Sequence, residues 1–459
     1  LAYALHHIQE NGLAKLTNYG EFLELHPPTH EVEILENTSW SCVHGVERWR
    51  NDCGCNTGGH PDWNQAWRAP LREALDWLRD SLVPEYEKRA GTLLKDPWQA
   101  RNDYIRVILD RSAPNMDQFF KEHAVHELSP SEKIIALKLL ELQRHAMLMY
   151  TSCGWFFDEI SGIETVQVIH YAGRAVQLSR ELFDGDVEPH FLKRLAKAKS
   201  NIAKHRDGRL IYENFVKPAA VDLKKVSAHY AVSSLFKNYE KEARIFCYKA
   251  SQENYEIQES GKTRLALGRI ELTSEITEES GRFCFGVLHW GDHNINCFTR
   301  ICEKEEPFEP VVKAVTESFT GADFTETVRF LEENFGPSNY SLRSLFRDEK
   351  RKILGIVMES ILPEAEAAYG QLYEHHTPLL RFVTSAGNPP PSSLRCAAEF
   401  ILNLRLKRAF EGEEPDIEHI ESLLEEVRLA GVSIDAATLE MVIRGRIERL
   451  AGQLAAGLD

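Results

Sequence analysis

Residues 129–157, SPSEKIIALKLLELQRHAMLMYTSCGWFF, decide the fold of this 459-residue chain. Ser129 stands where a helix N-cap belongs, Pro130 at the first helical position and Glu132 at the third, the pattern of a capping box. A long, largely apolar helical run follows, and Gly154 breaks it two residues after Ser152. The flanking stretches have the same style. QAWRAPLREALDWLRDSLVPEYEKRA (65–90) puts Leu71, Leu75, Leu78 and Leu82 on one stripe, and GIETVQVIHYAGRAVQLSRELF (162–183) continues the pattern. Together they predict a helical bundle over 65–206.

Beyond the bundle the period changes to two. ARIFCYKASQENYEIQ (243–258), TRLALGRIELTSEIT (263–277) and RFCFGVLHWGDHNINCFTRIC (282–302) read as strands, with turn signals at Glu259–Gly261 and Glu278–Gly281. The expectation is an antiparallel β domain over 207–306. Residues 307–459 return to helical spacing, interrupted by the loop SAGNPPPSSL (385–394) and ending in an amphipathic tail over 417–458. Ahead of the bundle, Leu1, Leu5 and Ile8 share one helical face, with Gly12 as C-cap and no N-cap before them, so upstream sequence is expected. Leu13–Thr17 and Val32–Leu35 read as strands around a helical turn at Glu21–Leu25, which is βα punctuation. The predicted class is mainly α with a β part, divided at 1–64, 65–206, 207–306 and 307–459, with no internal repeat.

Lys and Arg total 54 against 70 Asp and Glu, a net charge of −16, which argues against phosphate-driven nucleic-acid binding. No run of about 18 apolar residues is present to cross a membrane. Nine cysteines, an odd and sparse number for this length, point to a reducing compartment and a cytoplasmic protein.

The chemistry concentrates in residues 41–64, SCVHGVERWRNDCGCNTGGHPDWN, a stretch without periodicity that holds four glycines. Five of the eight tryptophans, Trp40, Trp49, Trp63, Trp67 and Trp77, fall within 38 residues in and beside it. Trp77 belongs to the bundle stripe. The others are interleaved with His44, Arg50, Asp52 and Arg68, the mix of indole faces and polar groups that carbohydrate recognition uses; a Trp-rich structural hinge is the alternative. Cys42, His44, Cys53, Cys55 and His60 have the spacings C-x-H, C-x-C and C-x4-H. C-x-C is tighter than a zinc knuckle, so buried thiols are expected and no metal or cofactor is assigned, with a Cys53–Cys55–His60 metal site or a Cys53–Cys55 redox pair as alternatives. TSCGWFFDEISGIE (151–164) places Trp155, Asp158 and Glu159 at a helix terminus, either facing the loop or, for Trp155, in the core. No phosphate loop, nucleophile elbow or H-E-x-x-H motif occurs.

The run LTNYGEFLELHPPTHEVEILENTSWSCVHGVERWRNDCGCNTGG (16–59), followed by WNQAWRAPLREALDWLRD (63–80), resembles the last conserved region of glycoside hydrolase family 57, the retaining α-glucan hydrolases and glucanotransferases. With CGCNTGG (53–59) and MYTSCGWFFDEISGIETVQ (149–167), the chain is similar to a subgroup in which the catalytic barrel precedes a long C-terminal domain. The resemblance implies that residues 1–64 end a (β/α)7-type barrel, and that a catalytic Glu nucleophile and Asp acid/base lie before Leu1. This chain alone is then expected to be inactive. The family's Ser-Trp pair falls on Ser39 and Trp40, and its loop aromatics on Trp49, Trp63 and Trp67. A Ser-Asp-Trp motif looks like Ser152-Cys153-Gly154-Trp155, with glycine in place of aspartate and Asp158 or Glu159 as substitutes. The implied ligand is an α-glucan; the alternative is a non-catalytic module that binds polysaccharide or protein.

Overall fold

The computed structural model describes residues 2–412 and 416–456; Leu1, Gly457 and Leu458 of the predicted helical faces lie outside that range. The chain forms two compact units, Leu1–Ala220 with Ile276–Glu278, and Val221–Glu275 with Glu279–Asp459.

The first unit is built on helices α1 (Arg68–Ala90), α2 (Pro130–Leu148), α3 (Ile163–Leu182) and α4 (Glu188–Leu195), with shorter helices between α1 and α2. The predicted stripe of α1 is its buried face: Leu71, Leu75, Leu78 and Leu82 pack with Leu137, Leu140, Ile169, Ala172 and Val176 into one core. The capping box forms as read. The Ser129 hydroxyl accepts from the Glu132 backbone N–H, and the Ser129 backbone N–H donates to the Glu132 carboxylate at 2.8 Å. After α2 the chain makes a 3₁₀ turn, Ser152–Trp155, that lies flat on α3. Gly154 permits this, because a Cβ there would sit 2.2 Å from Val168 Cγ2. That contact explains glycine where the resemblance expects aspartate.

Residues before the bundle depart from the sequence reading. Ala2–Glu10 and Tyr19–Leu25 are helical, the second capped by Asn18, whose Oδ1 accepts from the Glu21 N–H at 3.0 Å. Leu13–Thr17 and Val32–Leu35 are not strands. A strand needs a neighbour's N–H and C=O groups, and no described residue bridges to these segments. Val32, Ile34 and Leu35 are left 87%, 81% and 71% exposed.

The second unit opens on helix α5 (Leu223–Ser234), capped by Asp222. With the short helix Gly208–Ile211, capped by Asp207, it occupies the part of 207–306 that was expected to be β. Five antiparallel strands follow in meander order: β1 (Glu242–Ile245), β2 (Tyr248–Ser260), β3 (Thr263–Ser274), β4 (Ser280–Gly291) and β5 (Asn294–Ile301). Alternate side chains of β3 serve opposite faces. Ala266 and Ile270 share a core with Val226 and Tyr230 of α5. Leu265 and Leu267 share another with Val315 and Phe319 of α6 (Glu309–Thr320) and with Leu331 and Phe335 of α7 (Phe324–Phe335). Both faces are covered, so β3 from Leu265 to Ile270 and β4 from Phe283 to His289 are buried on both sides rather than alternately. Four helices complete the unit: α8 (Arg347–Ser385), α9 (Ser392–Glu411), α10 (Ile417–Ala430) and α11 (Ala436–Ala456). The gap between α8 and α9 is the predicted Pro-rich loop. The architecture is mainly α with a five-stranded antiparallel sheet. Among the described residues no helix is long and apolar enough to cross a membrane.

His229 on α5 is buried at 2% exposure, stacks on Phe346 at 4.3 Å, and accepts the Phe346 backbone N–H at Nδ1. Burial, helped by the nearby Lys237 charge, lowers its pKa to about 4. Unfolded histidine titrates near 6.5, so below that pH the unfolded chain takes up a proton that the folded one refuses. Stability is therefore lost as pH falls from about 6.5 to 4, by up to roughly 3 kcal/mol. Denaturant titrations across this range are expected to show that slope, and His229→Gln to flatten it; equal slopes in both proteins contradict the assignment.

Candidate functional site

The segment between Asn37 and Trp67 has one 3₁₀ turn, Glu47–Trp49, and no longer element, so side chains must fix its path. Gly45 sets the first bend, at φ +69°, where a Cβ would meet the Asn37 carbonyl oxygen at 2.2 Å. The rest is anchored to the turn that follows Trp155. Asp158 Oδ2 accepts from the Thr57 N–H at 2.9 Å and the Thr57 hydroxyl at 2.6 Å, and Asp158 Oδ1 accepts from Gln65 Nε2 at 3.3 Å. The Asp158 carbonyl accepts from Trp67 Nε1 (3.1 Å) and Asn201 Nδ2 (3.0 Å), the Phe157 carbonyl from Arg68 Nη2 (3.2 Å), and the Phe156 carbonyl from Arg48 Nη1 (3.4 Å). Trp49 Nε1 donates to the Ser152 carbonyl at 3.3 Å.

This network re-sorts the expected sugar contacts. Trp67 and Trp155 are each 1% exposed and stack on one another at 6.4 Å within the core, so neither offers a face to a ligand. Arg68, Asp158 and Glu159 are buried too, and correct the reading in the same way. Asp158 ties down the loop, while Glu159 accepts from the Ser200 hydroxyl (2.5 Å), the Asn201 N–H (2.8 Å) and the Ser161 N–H (3.1 Å). Trp49 and Trp63 are half-buried, with Trp63 stacked on His60 at 3.8 Å. Arg50 is exposed and paired with Glu47, and Asp52 accepts the Gly54 N–H in a local turn. Trp40 is different. It is 92% exposed and leans on Phe156 at 6.3 Å, with its outer face open. Thr57, Ser200 and Asn201 escaped the sequence reading, since nothing local distinguishes an Asn that also donates from Nδ2 to the Asn64 carbonyl at 2.9 Å, 137 residues upstream.

The loop also gathers four ligand-type side chains. The Sγ atoms of Cys42, Cys53 and Cys55 and a ring nitrogen of His44 all lie within 4.8 Å of one another. Cys42 Sγ is 3.8 Å from Cys55 Sγ and 3.8 Å from His44 Nδ1, and Cys55 Sγ is 3.6 Å from the same nitrogen. His60, a member of the expected metal alternative, faces Trp63 instead. Burial pushes the Cys42 thiol up, but hydrogen bonds from the His44 backbone and ring and from Cys53 and Cys55 bring it down to about 6. Burial and the two neighbouring thiols raise Cys55. Arg68, itself lowered by burial, points Nη1 at Cys53 Sγ at 3.7 Å. These four side chains form a group that could hold a metal ion.

Asp158→Asn keeps the shape but turns an amide N–H₂ toward donors, so one set of loop bonds is lost. At about 1–3 kcal/mol for a buried charge-assisted contact, hydrogen exchange of residues 53–60 should rise roughly 10- to 100-fold while α1–α3 keep their protection. Unchanged protection in the loop contradicts the tether.

A family profile described as a domain of unknown function (DUF3536) matches residues 63–346, more than half of the chain. The matched range takes in Arg68, Trp155 and Asp158 and begins after the Cys42, His44, Cys53 and Cys55 cluster. Comparison with curated proteins finds no match, and comparison with solved structures finds none. The chain therefore belongs to the DUF3536 family.

Proposed function

We propose that this chain supplies the glucan-facing portion of a retaining α-glucan-active glycoside hydrolase or glucanotransferase whose catalytic carboxylates lie upstream of residue 1. The observation that carries the reading is Trp40: a full indole face, 92% exposed, held at the edge of an anchored loop. An indole presents a broad, rigid apolar face with a polar N–H at its edge, which suits the C–H face of a pyranose. Ser39 beside it, with His44, Arg50 and Asp52 on the same exposed stretch, offers partners for hydroxyls. Val32, Ile34 and Leu35 support the barrel reading of residues 1–64: they are strand-type residues, strongly exposed, with no described strand beside them. The glucan-contact set on this reading is Trp40 with Trp49, Arg50, Asp52 and Trp63, and His44 through Nε2 alone, since its Nδ1 faces Cys42 and Cys55.

Ring stacking on an aromatic is worth about 1–3 kcal/mol, by analogy with base stacking. Calorimetric titration with maltoheptaose should show binding that Trp40→Ala weakens by one to two orders of magnitude. Binding that survives Trp40→Ala unchanged favours a non-catalytic module that uses another surface, and no binding in either protein removes the reading.

A further inference from the structure

Cys42, His44, Cys53 and Cys55 carry an inference that goes beyond the glucan reading and does not depend on it. We propose that these four side chains bind one zinc ion in a closed tetrahedral site that fixes the loop over residues 42–55. The three separations among Cys42, Cys55 and His44 are those of a zinc tetrahedron, and Cys53 Sγ lies within 4.8 Å of the other three ligand atoms. Zn–S bonds of about 2.3 Å place two sulfurs about 3.8 Å apart, and a Zn–N bond of about 2.0–2.1 Å places sulfur and nitrogen about 3.6 Å apart. The observed separations are 3.8 Å for the sulfur pair Cys42–Cys55, with 3.8 Å and 3.6 Å from those sulfurs to His44 Nδ1. A disulfide requires sulfurs at about 2.05 Å, well inside the observed gap. All four ligand atoms fall within 4.8 Å of one another, which suits one mononuclear centre.

The chain geometry gives the same answer. Val43, between the first two ligands, is 93% exposed, while the buried Cys42 brings its Sγ to 3.8 Å from His44 Nδ1, so the two ligand atoms converge past it. Gly54, between the other two, takes φ +76°, the left-handed conformation that lets Cys53 and Cys55 converge. This is how a C-x-C spacing, too tight for a knuckle, still yields two ligands.

Charge supplies an independent argument. Three thiolates and a neutral imidazole around Zn²⁺ leave one net negative charge. Two buried guanidiniums stand against the cluster: Arg68, 0% exposed, at Cys53, and Arg48, 8% exposed, at Cys55. The Nε of each is buried and has no hydrogen-bond partner. Buried guanidiniums are favoured by anionic charge beside them, which Asp158 supplies in part for Arg68 and an anionic zinc–thiolate centre would supply for both. Thiolate-rich tetrahedral sites with no open position select zinc and serve structure.

The whole chain, purified without chelator, should carry close to one zinc per molecule by elemental analysis. Cys53→Ser and Cys55→Ser should lose most of it, and His60→Ala should retain it. Replacing zinc by cobalt in the unmutated protein, which needs no variant to fold, should give the intense visible bands of tetrahedral cobalt with thiolate charge transfer. A chelator should then raise hydrogen exchange in residues 42–55 without changing α1–α3. Absence of metal, iron in place of zinc, an octahedral cobalt spectrum, zinc retained by both serine variants, or a Cys42–Cys55 disulfide in non-reducing peptide mapping would each overturn the proposal. Maltoheptaose binding is a separate measurement, so failure of the glucan reading leaves this result standing.

Discussion

A stretch of backbone with neither ladder nor helix must be held by side chains, and here the holding point is one turn. The carbonyls of Phe156, Phe157 and Asp158 and the Asp158 carboxylate together receive Arg48, Arg68, Trp67, Gln65 and Thr57. The turn can serve because the 3₁₀ turn just before it, Ser152–Trp155, packs on α3, with Gly154 allowing the close approach to Val168. The ligand cluster and the exposed indole are both downstream of that anchorage. A bundle built on leucine stripes becomes the mould for a loop that has almost no regular structure of its own.

The tryptophans show how the mould sorts residues that composition treats alike. Trp67 and Trp155 pair in the core, Trp49 and Trp63 lie half-covered, and Trp40 stands in solvent. Which indole is buried depends on partners about 90 residues away in sequence, such as the Asp158 carbonyl that accepts Trp67 Nε1. The acidic pair expected to touch a ligand is instead saturated by backbone and hydroxyl donors, since a carboxylate this deeply buried needs its oxygens hydrogen-bonded.

Local signals were legible where local physics decides. The Ser129–Glu132 box, the Leu71–Leu82 stripe and the strand character of β2–β5 each follow from local sequence. Readings failed where a distant partner decides. Val32–Leu35 has strand composition but no neighbour among the described residues to complete a ladder. The β region begins later than the period-two reading expects, since Asp207 and Asp222 cap the helices Gly208–Ile211 and Leu223–Ser234. The Cys and His cluster was visible as residue types, but its membership was not: exchanging His60 for Cys42 and His44 depends on bends at Gly45 and Gly54 that spacing does not encode.

The central claim is that a side-chain-anchored loop over 40–63 presents its open aromatic face to a glucan. Hydrogen exchange of the chain with and without maltoheptaose tests it most directly, because it reports where a ligand sits. The account predicts added protection confined to residues around Trp40 and the loop behind it. Protection that appears only in β1–β5 or their covering helices would contradict it.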